Sequence, residues 1–125
     1  MKKVIILLLL VFIGATSQAQ QISVTCSMDN KTMTSEAKTG HFQWKFPSTT
    51  TLSSIENTAK YYAPFFTYKF DEKTGVLDVN SINDGDETRK IMLRFLGANQ
   101  VNEIKVGEIS YKLYEYYDSY LKKTE

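Results

Sequence analysis

The chain has few residues of the kinds that mark catalytic, disulfide-bonded or metal-binding proteins. Its 125 residues include one cysteine, one histidine and two prolines, and the formal net charge is +1. A single cysteine excludes an intrachain disulfide, and so small a charge excludes a strongly basic nucleic-acid-binding protein. The sequence also lacks the Gly-x-Ser-x-Gly, His-Glu-x-x-His and phosphate-loop patterns. We therefore predict a protein that is not an enzyme, uses no cofactor and binds no nucleic acid.

The first 19 residues have the features of a secretory signal peptide. Two lysines precede an unbroken apolar run from Val4 to Ile13, and the small residues Ser17 and Ala19 follow it. The run is too short to span a bilayer, and the small residues fit a signal-peptidase site. No later run is long enough for a transmembrane helix. We predict export to the periplasm or the exterior after cleavage near Ala19.

The chain as a whole is 42% apolar and 13% aromatic, which is enough to form a packed core. Apolar and polar residues alternate, as in half-buried strands, over residues 22–28, 42–46, 66–70, 77–79 and 104–106. Apolar stripes at helical spacing predict one helix over residues 52–63, a second around residues 86–97 that ends at Gly97, and a third that begins after Tyr111. Residues 31–40 are small and polar, and they predict a loop or an irregular edge.

From residue 41 onward the predicted order is strand, helix, strand, strand, helix, strand. This order favours a two-layer α+β domain of the ferredoxin-like βαββαβ type, in which both helices cover one face of an antiparallel sheet. The predicted organisation is a signal peptide (1–19), an N-terminal strand and loop (20–40), the βαββαβ domain (41–107) and a C-terminal amphipathic helix (108–125). Trp44 lies in phase with its apolar neighbours and is predicted to face the helices.

Residues 41–107 resemble the heavy-metal-associated (HMA) domain, the fold of copper chaperones. The resemblance depends on the order of the elements, on Ile55-Glu56 in the first helix, and on residues 66–79 with the turn that ends at Gly75. It implies a ferredoxin-like fold and a binding role.

The HMA family holds Cu(I) with a Cys-x-x-Cys loop before the first helix. Those two positions correspond to Ser48 and Thr51 here. Hydroxyl groups stay protonated at neutral pH and are poor ligands for a soft metal. The resemblance therefore implies a degenerate domain that lacks the family's metal loop.

Four soft-ligand residues are candidates for another copper site: Cys26, Met28, Met33 and His41. Sulfur and imidazole donors suit Cu(I). The alternative is that Cys26 and Met28, which alternate in phase with the preceding apolar residues, face the core as ordinary hydrophobic side chains. We favour a buried Cys26 thiol.

A second group of candidates consists of oxygen donors around Gly85, which could suit calcium: Asn80, Asn83, Asp84, Asp86 and Glu87. The spacing does not fit an EF-hand, because position 12 of such a loop would be Ile91. Acidic residues at the N-terminus of a helix are the alternative explanation.

Tyrosines crowd residues 111–120. Tyr114, Tyr117 and Tyr120 could bind an unknown protein partner, since tyrosine is enriched at interfaces. We favour the alternative, in which they pack the last helix on the domain while their hydroxyls stay in water. Two functional hypotheses remain. The first is an exported, non-enzymatic binding or interaction module with a degenerate HMA-like fold. The second is a soft-metal protein that binds copper through the four residues named above.

Overall fold

The computed structural model describes residues 21–123, which form one α+β domain around a six-stranded sheet. The strands are β1 (Ile22–Cys26), β2 (His41–Lys45), β3 (Phe66–Asp71), β4 (Val76–Ser81), β5 (Val101–Val106) and β6 (Ile109–Lys112). The α-helices are α1 (Asn30–Ala37), α2 (Leu52–Ala59), α3 (Asp86–Ala98) and α4 (Leu113–Tyr116). A 3₁₀ turn (Lys60–Tyr62) follows α2, and a π-helical turn (Tyr117–Leu121) follows α4.

The strands lie in the order β3-β4-β2-β1-β5-β6. Neighbouring strands are antiparallel except for β1 and β5, which are parallel. The predicted α+β class is confirmed, but the sheet is not the simple ferredoxin-like one. That arrangement would make β2 and β5 neighbours, whereas β1 lies between them. The strand predicted as an N-terminal addition is thus an interior strand.

The two faces of the sheet differ in polarity, as the alternation predicts. Trp44 is fully buried, with Cys26 opposite it on β1 and Leu77 opposite it on β4. Gln43 pairs instead with Asp78, and Asp78 with Lys69, on the opposite, more polar face. The predicted orientation of Trp44 and the predicted burial of Cys26 are both confirmed. The core is therefore confined to the helix-covered face.

The turn between β3 and β4 agrees with the sequence prediction. Gly75 has a φ of +78°, and a Cβ atom there would lie 2.5 Å from the carbonyl oxygen of Phe46. The Gly75 N–H donates to the carbonyl of Asp71. Glycine is required here by both the backbone conformation and the close approach of β2.

Helix α1 replaces the loop predicted over residues 31–40, so that prediction is wrong. The carboxylate of Asp29 accepts a 2.7 Å hydrogen bond from the Thr32 N–H and caps the helix. Met33 is the one buried residue of α1. A single buried residue produces no apolar stripe, so the helix gives no periodic signal.

The C-terminal segment, predicted as residues 108–125 with a helix that begins after Tyr111, contains a strand that was not predicted. Ile109–Lys112 form β6, which pairs with β5, and the chain becomes helical only at Leu113. The predicted start after Tyr111 is thus close to the observed one. Tyr116 is buried in the core, where its hydroxyl accepts a 3.0 Å hydrogen bond from the indole N–H of Trp44.

The end of α3 is a smaller difference. The helix passes the predicted end at Gly97 and finishes at Ala98, and Gln100, with φ +70°, takes the left-handed conformation. The predicted signal peptide and its cleavage site at Ala19 lie outside the described residues. Within residues 21–123 no helix is both long and apolar enough to cross a membrane.

Candidate binding sites

A cavity of about 200 Å³ lies between α1 and the C-terminal segment. Four of its lining residues are basic: Lys38, Arg89, Lys122 and Lys123. The others are Met33, Thr34, Ala37, Ser119 and Tyr120, and none of the nine is acidic. The cavity therefore combines cationic groups, two aliphatic hydroxyls and a small apolar surface.

Arg89 joins the segments that form this cavity. The residue is 2% exposed, and its guanidinium lies 5.0 Å from the centre of the Phe42 ring. Nε and Nη2 donate to the two carboxylate oxygens of Asp84 at 2.7 and 2.8 Å. Nη1 donates to the carbonyl of Leu121 at 2.7 Å, and Nη2 also donates to that of Ala37. A buried arginine is stable because nearly all its donors are satisfied in this way.

Asp84 is the counter-charge of this cluster, called here the Arg89 cluster (Asp84, Arg89 and Lys123). Lys123 also donates to its carboxylate, at 2.9 Å. Burial opposes ionisation of Asp84, but the hydrogen bonds from Arg89 and Lys123 outweigh it and lower the pKa of Asp84 to about 2. These contacts make Asp84 part of an ion-pair cluster rather than a calcium ligand in this arrangement.

His41 forms a second charged cluster, called here the His41 cluster (Glu36, His41, Gln43 and Asp78). Its Nδ1 contacts the carboxylate of Glu36 on α1, and its Nε2 lies 2.8 Å from the carboxylate of Asp78 on β4. Gln43 donates to the same oxygen of Asp78. A neutral imidazole has only one N–H, so two donated bonds require the protonated ring.

Titration of the His41 cluster follows from these contacts. Burial disfavours the charged imidazolium, but the hydrogen bonds to Asp78 and Glu36 outweigh it and raise the pKa of His41 above 6.5. Burial likewise disfavours the Asp78 carboxylate, and the bonds from Gln43 and His41 lower its pKa below 3.8. The His41 imidazolium and the Asp78 carboxylate thus stabilise each other over the pH range between these values.

The outer side of β3 is a third feature, because β3 is the first strand of the sheet order. The N–H of Ser81 donates to Gly40 beside β2, and the N–H of Ile82 donates to Phe65 beside β3. Backbone groups alternate in direction along an antiparallel pair. Thr67, Lys69 and Asp71 therefore bond to β4, and the N–H and C=O groups of the other three residues point outward: Phe66, Tyr68 and Phe70.

A groove of about 530 Å³ runs beside this edge, between β3 and α2. Its wall on the helical side includes Ala59 and Ala63, and Phe66 and Tyr68 line its strand side. Glu56 and Lys60 supply one charge of each sign at the helix. The groove thus combines apolar surface with a row of outward-facing backbone donors and acceptors.

The four soft-ligand residues have separate roles in the structure. Cys26 is buried, with its thiol 3.9 Å from the Tyr116 hydroxyl, and burial raises the pKa of the thiol to about 11. Met33 is buried against the cavity and Met28 is half-buried. Both ring nitrogens of His41 contact carboxylates. Within residues 21–123 no three His, Cys, Asp or Glu residues are grouped as a metal site.

Ser48 and Thr51, which the sequence comparison with the HMA family predicts to replace its two cysteines, have ordinary structural roles. Thr51 is the N-cap of α2, and its hydroxyl accepts a 3.1 Å hydrogen bond from the Ser54 N–H. Ser48 is exposed in the turn before the helix. The hydroxyl of Thr51 thus caps the helix as a hydrogen-bond acceptor, and a cysteine thiol is a weaker acceptor.

The tyrosines predicted as an interface are only partly exposed. Tyr114 is 63% exposed. Tyr120 packs edge-on against Tyr111 and shares a hydrogen bond with its hydroxyl. The hydroxyl of Tyr117 is buried without a partner among the described residues, so the alternative prediction that these hydroxyls stay in water is wrong for Tyr117. The segment chiefly packs on the domain, with Tyr114 as its exposed aromatic side chain.

Sequence patterns do not reveal the Arg89 cluster or the cavity. Arg89 is a basic residue in an amphipathic helix, and such residues usually face solvent. Its partners come from α1, the β4–α3 loop and the C-terminal segment. The only sequence signal is its position in α3, where it immediately precedes Lys90 and the apolar pair Ile91 and Met92.

No protein-family model, no curated protein and no solved structure matches this chain.

Proposed function

We propose that the protein is an exported, non-enzymatic interaction module that binds an extended segment of a partner protein along the outer side of β3. The main observation in support is the edge strand β3, which has six residues. The backbone groups of three of them point outward beside an apolar groove. An extended chain satisfies such groups by adding a strand to the sheet. The groove would then receive alternate side chains of the added strand.

The chemistry of the partner follows from this geometry. Backbone bonds to Phe66, Tyr68 and Phe70 do not depend on the partner's sequence, so they supply affinity rather than selectivity. Ala59 and Ala63 leave room for apolar side chains on one side of the added strand. We therefore expect a segment with alternating apolar residues and no proline at the paired positions.

This proposal places the partner at β3 rather than at the tyrosine-rich segment. Tyr117 and Tyr120 are already packed against the domain, which leaves little of their surface for a partner. Strand β6 is the other edge of the sheet, but it has only four residues. A longer edge offers more backbone bonds to an added strand.

The test is selection of random linear peptides on the purified protein, followed by hydrogen exchange of the complex. We expect the amides of Phe66, Tyr68 and Phe70 to become protected when a selected peptide binds. Ala63→Arg, which fills the groove, should weaken binding about tenfold or more. Ala98→Arg on the exposed end of α3 is the matched control and should have no effect.

Two results would contradict the proposal. One is that selected peptides bind without changing exchange at the three outward amides. The other is that Ala63→Arg and Ala98→Arg bind the peptides as well as the unchanged protein. Pairing of β3 with β3 of a second copy would give protection without peptide and a dimer in sedimentation, and it would replace the partner with another copy of the chain.

Export is the second part of the proposal and has its own test. It is supported by the basic start, the apolar run and the small residues at Ser17 and Ala19. The intact mass of protein isolated from its host should lack residues 1–19. A full-length, membrane-bound species would contradict export by this route.

We also propose that residues 41–107 form a degenerate HMA-like unit. The order β2-α2-β3-β4-α3-β5 supports this relationship, since it has the βαββαβ sequence of elements. The insertion of β1 between β2 and β5 is the main departure from it. The relationship predicts that cysteines at positions 48 and 51 would be placed as a metal-binding pair.

A further inference from the structure

We propose that the cavity between α1 and the C-terminal segment binds a small anion that carries a phosphate group. This site is separate from β3 and does not depend on the proposed strand addition. Its residues come from three parts of the chain that the Arg89 cluster holds together: α1 with its C-cap, α3, and residues 119–123. A ligand would contact all three parts.

The charge of the cavity is the first argument. Its lining contains four basic residues and no acid. Asp84 balances part of this charge, because it contacts Arg89 and Lys123. Lys38 and Lys122 are exposed residues at the opposite walls, and no ion pair involving either is formed within residues 21–123. A concave site lined by one sign of charge concentrates ions of the opposite sign.

The donors of Arg89 are the second argument. A guanidinium has five N–H groups, and Arg89 donates four of them within the described part of the chain, one each from Nε and Nη1 and two from Nη2. The second hydrogen of Nη1 remains. The side chain is almost completely buried and lines the cavity, and no protein acceptor for this hydrogen is found within residues 21–123. We infer that a water or a ligand oxygen in the cavity accepts it.

The variety of the donors, and their origin in three elements, favour a tetrahedral oxyanion. Lys38 belongs to the C-terminal end of α1, Lys122 to the C-terminal segment, and Arg89 to α3. The hydroxyl of Ser119 adds a neutral donor at the same lining. Several donors that converge from different elements suit the oxygens of a phosphate, and lysine and arginine are its usual partners in proteins.

The size of the cavity limits the ligand. Its volume of about 200 Å³ is below the range of about 300–1,000 Å³ of pockets for drug-sized ligands. Since water occupies about 30 Å³ in the liquid, the space suits a phosphate ion or a small phosphate ester. Met33 and Ala37 offer apolar contacts for the carbon atoms of an ester. Inorganic phosphate and an ester share the same recognition, and affinity distinguishes them.

The experiment is an NMR titration of the purified protein with inorganic phosphate and, separately, with glycerol phosphate, at ionic strength held constant with sodium chloride. We expect saturable shifts of the backbone amides of Ala37, Lys38 and Lys122, with saturation below about 10 mM. The tighter of the two probes identifies the source of the phosphate group.

The double variant Lys38→Gln, Lys122→Gln should weaken this binding about tenfold or more. The matched control is Lys45→Gln, Lys105→Gln, which removes the same charge from exposed positions on β2 and β5 and should bind as the unchanged protein does. Because all four lysines are exposed, none of these changes should prevent folding. The far-ultraviolet circular dichroism of both variants checks this.

Three results would overturn the proposal. Shifts that rise linearly to about 10 mM with both probes would show only weak, nonspecific association. Equal weakening by the two double variants would show a response to net charge rather than to the cavity. Saturable shifts confined to amides outside residues 33–38, 89 and 119–123 would place the anion elsewhere.

Discussion

The Arg89 cluster holds the end of α1 to α3 and the C-terminal segment, and the His41 cluster holds it to the sheet. The charges of the two clusters differ in how they respond to pH. Arg89 is almost fully buried, donates to the carbonyl of Ala37 at the end of α1, and stays charged at all accessible pH values. His41 contacts Glu36, the preceding residue of α1, and holds its charge only while the imidazole is protonated. The contact of Arg89 with Ala37 therefore does not depend on a titration of Arg89 itself, whereas the contact of His41 with Glu36 depends on the protonation of the imidazole.

The difference shows how a helix with little apolar burial can be retained. Met33 is the only buried residue of α1, so hydrophobic burial contributes about 1.5–3 kcal/mol from one side chain. Hydrogen bonds and ion pairs must then supply much of the remaining stabilisation. Segments with few buried contacts open locally before the rest of a domain, and α1 should open more readily when one of its two attachments is removed.

Replacement of Arg89 should lower the free energy of unfolding more than any of the other substitutions. Arg89→Met keeps much of the side chain's volume but leaves Asp84 without its main partner, and breaking a buried pair in this way costs about 3–5 kcal/mol. Arg94→Met is the matched control, because Arg94 is exposed on the same helix, and it should cost under about 0.5 kcal/mol. Urea denaturation measures both. Similar losses for the two variants would contradict the structural role of Arg89.

Loss of the charge on Asp84 should have a smaller effect. Asp84→Asn keeps the shape of the side chain and one acceptor oxygen, and it should cost about 1–3 kcal/mol in urea denaturation near pH 7. Asp86→Asn should cost under about 0.5 kcal/mol, because Asp86 is exposed and pairs only with Lys90 at 3.4 Å. Equal effects of the two variants would mean that the burial of the pair adds nothing.

The stabilisation that the Asp84 carboxylate contributes should also depend on pH, and it should decrease as the pH falls. The folded-state pKa of about 2 is below the value of 3.8 for a free carboxyl. The stabilisation is therefore complete above about pH 4 and is lost as the pH falls through the folded-state pKa. The difference in unfolding free energy between the wild type and Asp84→Asn should narrow as the pH is lowered from about 5 toward about 2.

The His41 cluster should give a smaller effect with the opposite pH direction. Its folded-state pKa is raised above 6.5, so its stabilisation is complete below about pH 6.5 and is lost as the pH rises through the folded-state value. His41→Gln should cost about 0.5–1.5 kcal/mol more at pH ~5.5 than at pH ~8.5. Urea denaturation at the two pH values measures the difference. A cost that is independent of pH would mean that the two carboxylates do not hold the imidazolium.

The sequence predicts the part of the fold that depends on apolar periodicity. Trp44 and Leu77 alternate with polar neighbours, so their burial could be predicted from local spacing. Helix α1 has no such spacing, and its cap and attachments are polar. The position of β1 between β2 and β5 depends on pairing between residues about 80 apart, such as Ile22 with Val101, and local patterns do not encode the choice of partner.

The candidate sites illustrate the same limit. Cys26, Met33 and His41 have the correct chemistry for copper, but side-chain type does not show that a thiol is buried or that an imidazole is already bound by carboxylates. Arg89 is one of several basic residues in the sequence, and its burial depends on acceptors in segments that are distant in the chain. The groove beside β3 likewise arises only once α2 packs next to the edge strand.

Substitution of the candidate copper ligands should have the smallest effect, because we expect the unchanged protein to bind no Cu(I). The one imidazole, that of His41, is already bound by the carboxylates of its cluster. Burial raises the pKa of Cys26 to about 11, so its thiol is neutral near pH 7, and metals bind the thiolate. We therefore expect no withdrawal of Cu(I) from a chromogenic chelator under reducing conditions, and no change on Cys26→Ser or His41→Ala. Stoichiometric binding that is abolished by Cys26→Ser would instead support the soft-metal function.

The double variant Ser48→Cys, Thr51→Cys is the positive counterpart, since it supplies two thiolates before α2. It should compete for Cu(I) if residues 41–107 are HMA-like, at a cost of about 1 kcal/mol for the lost cap at Thr51.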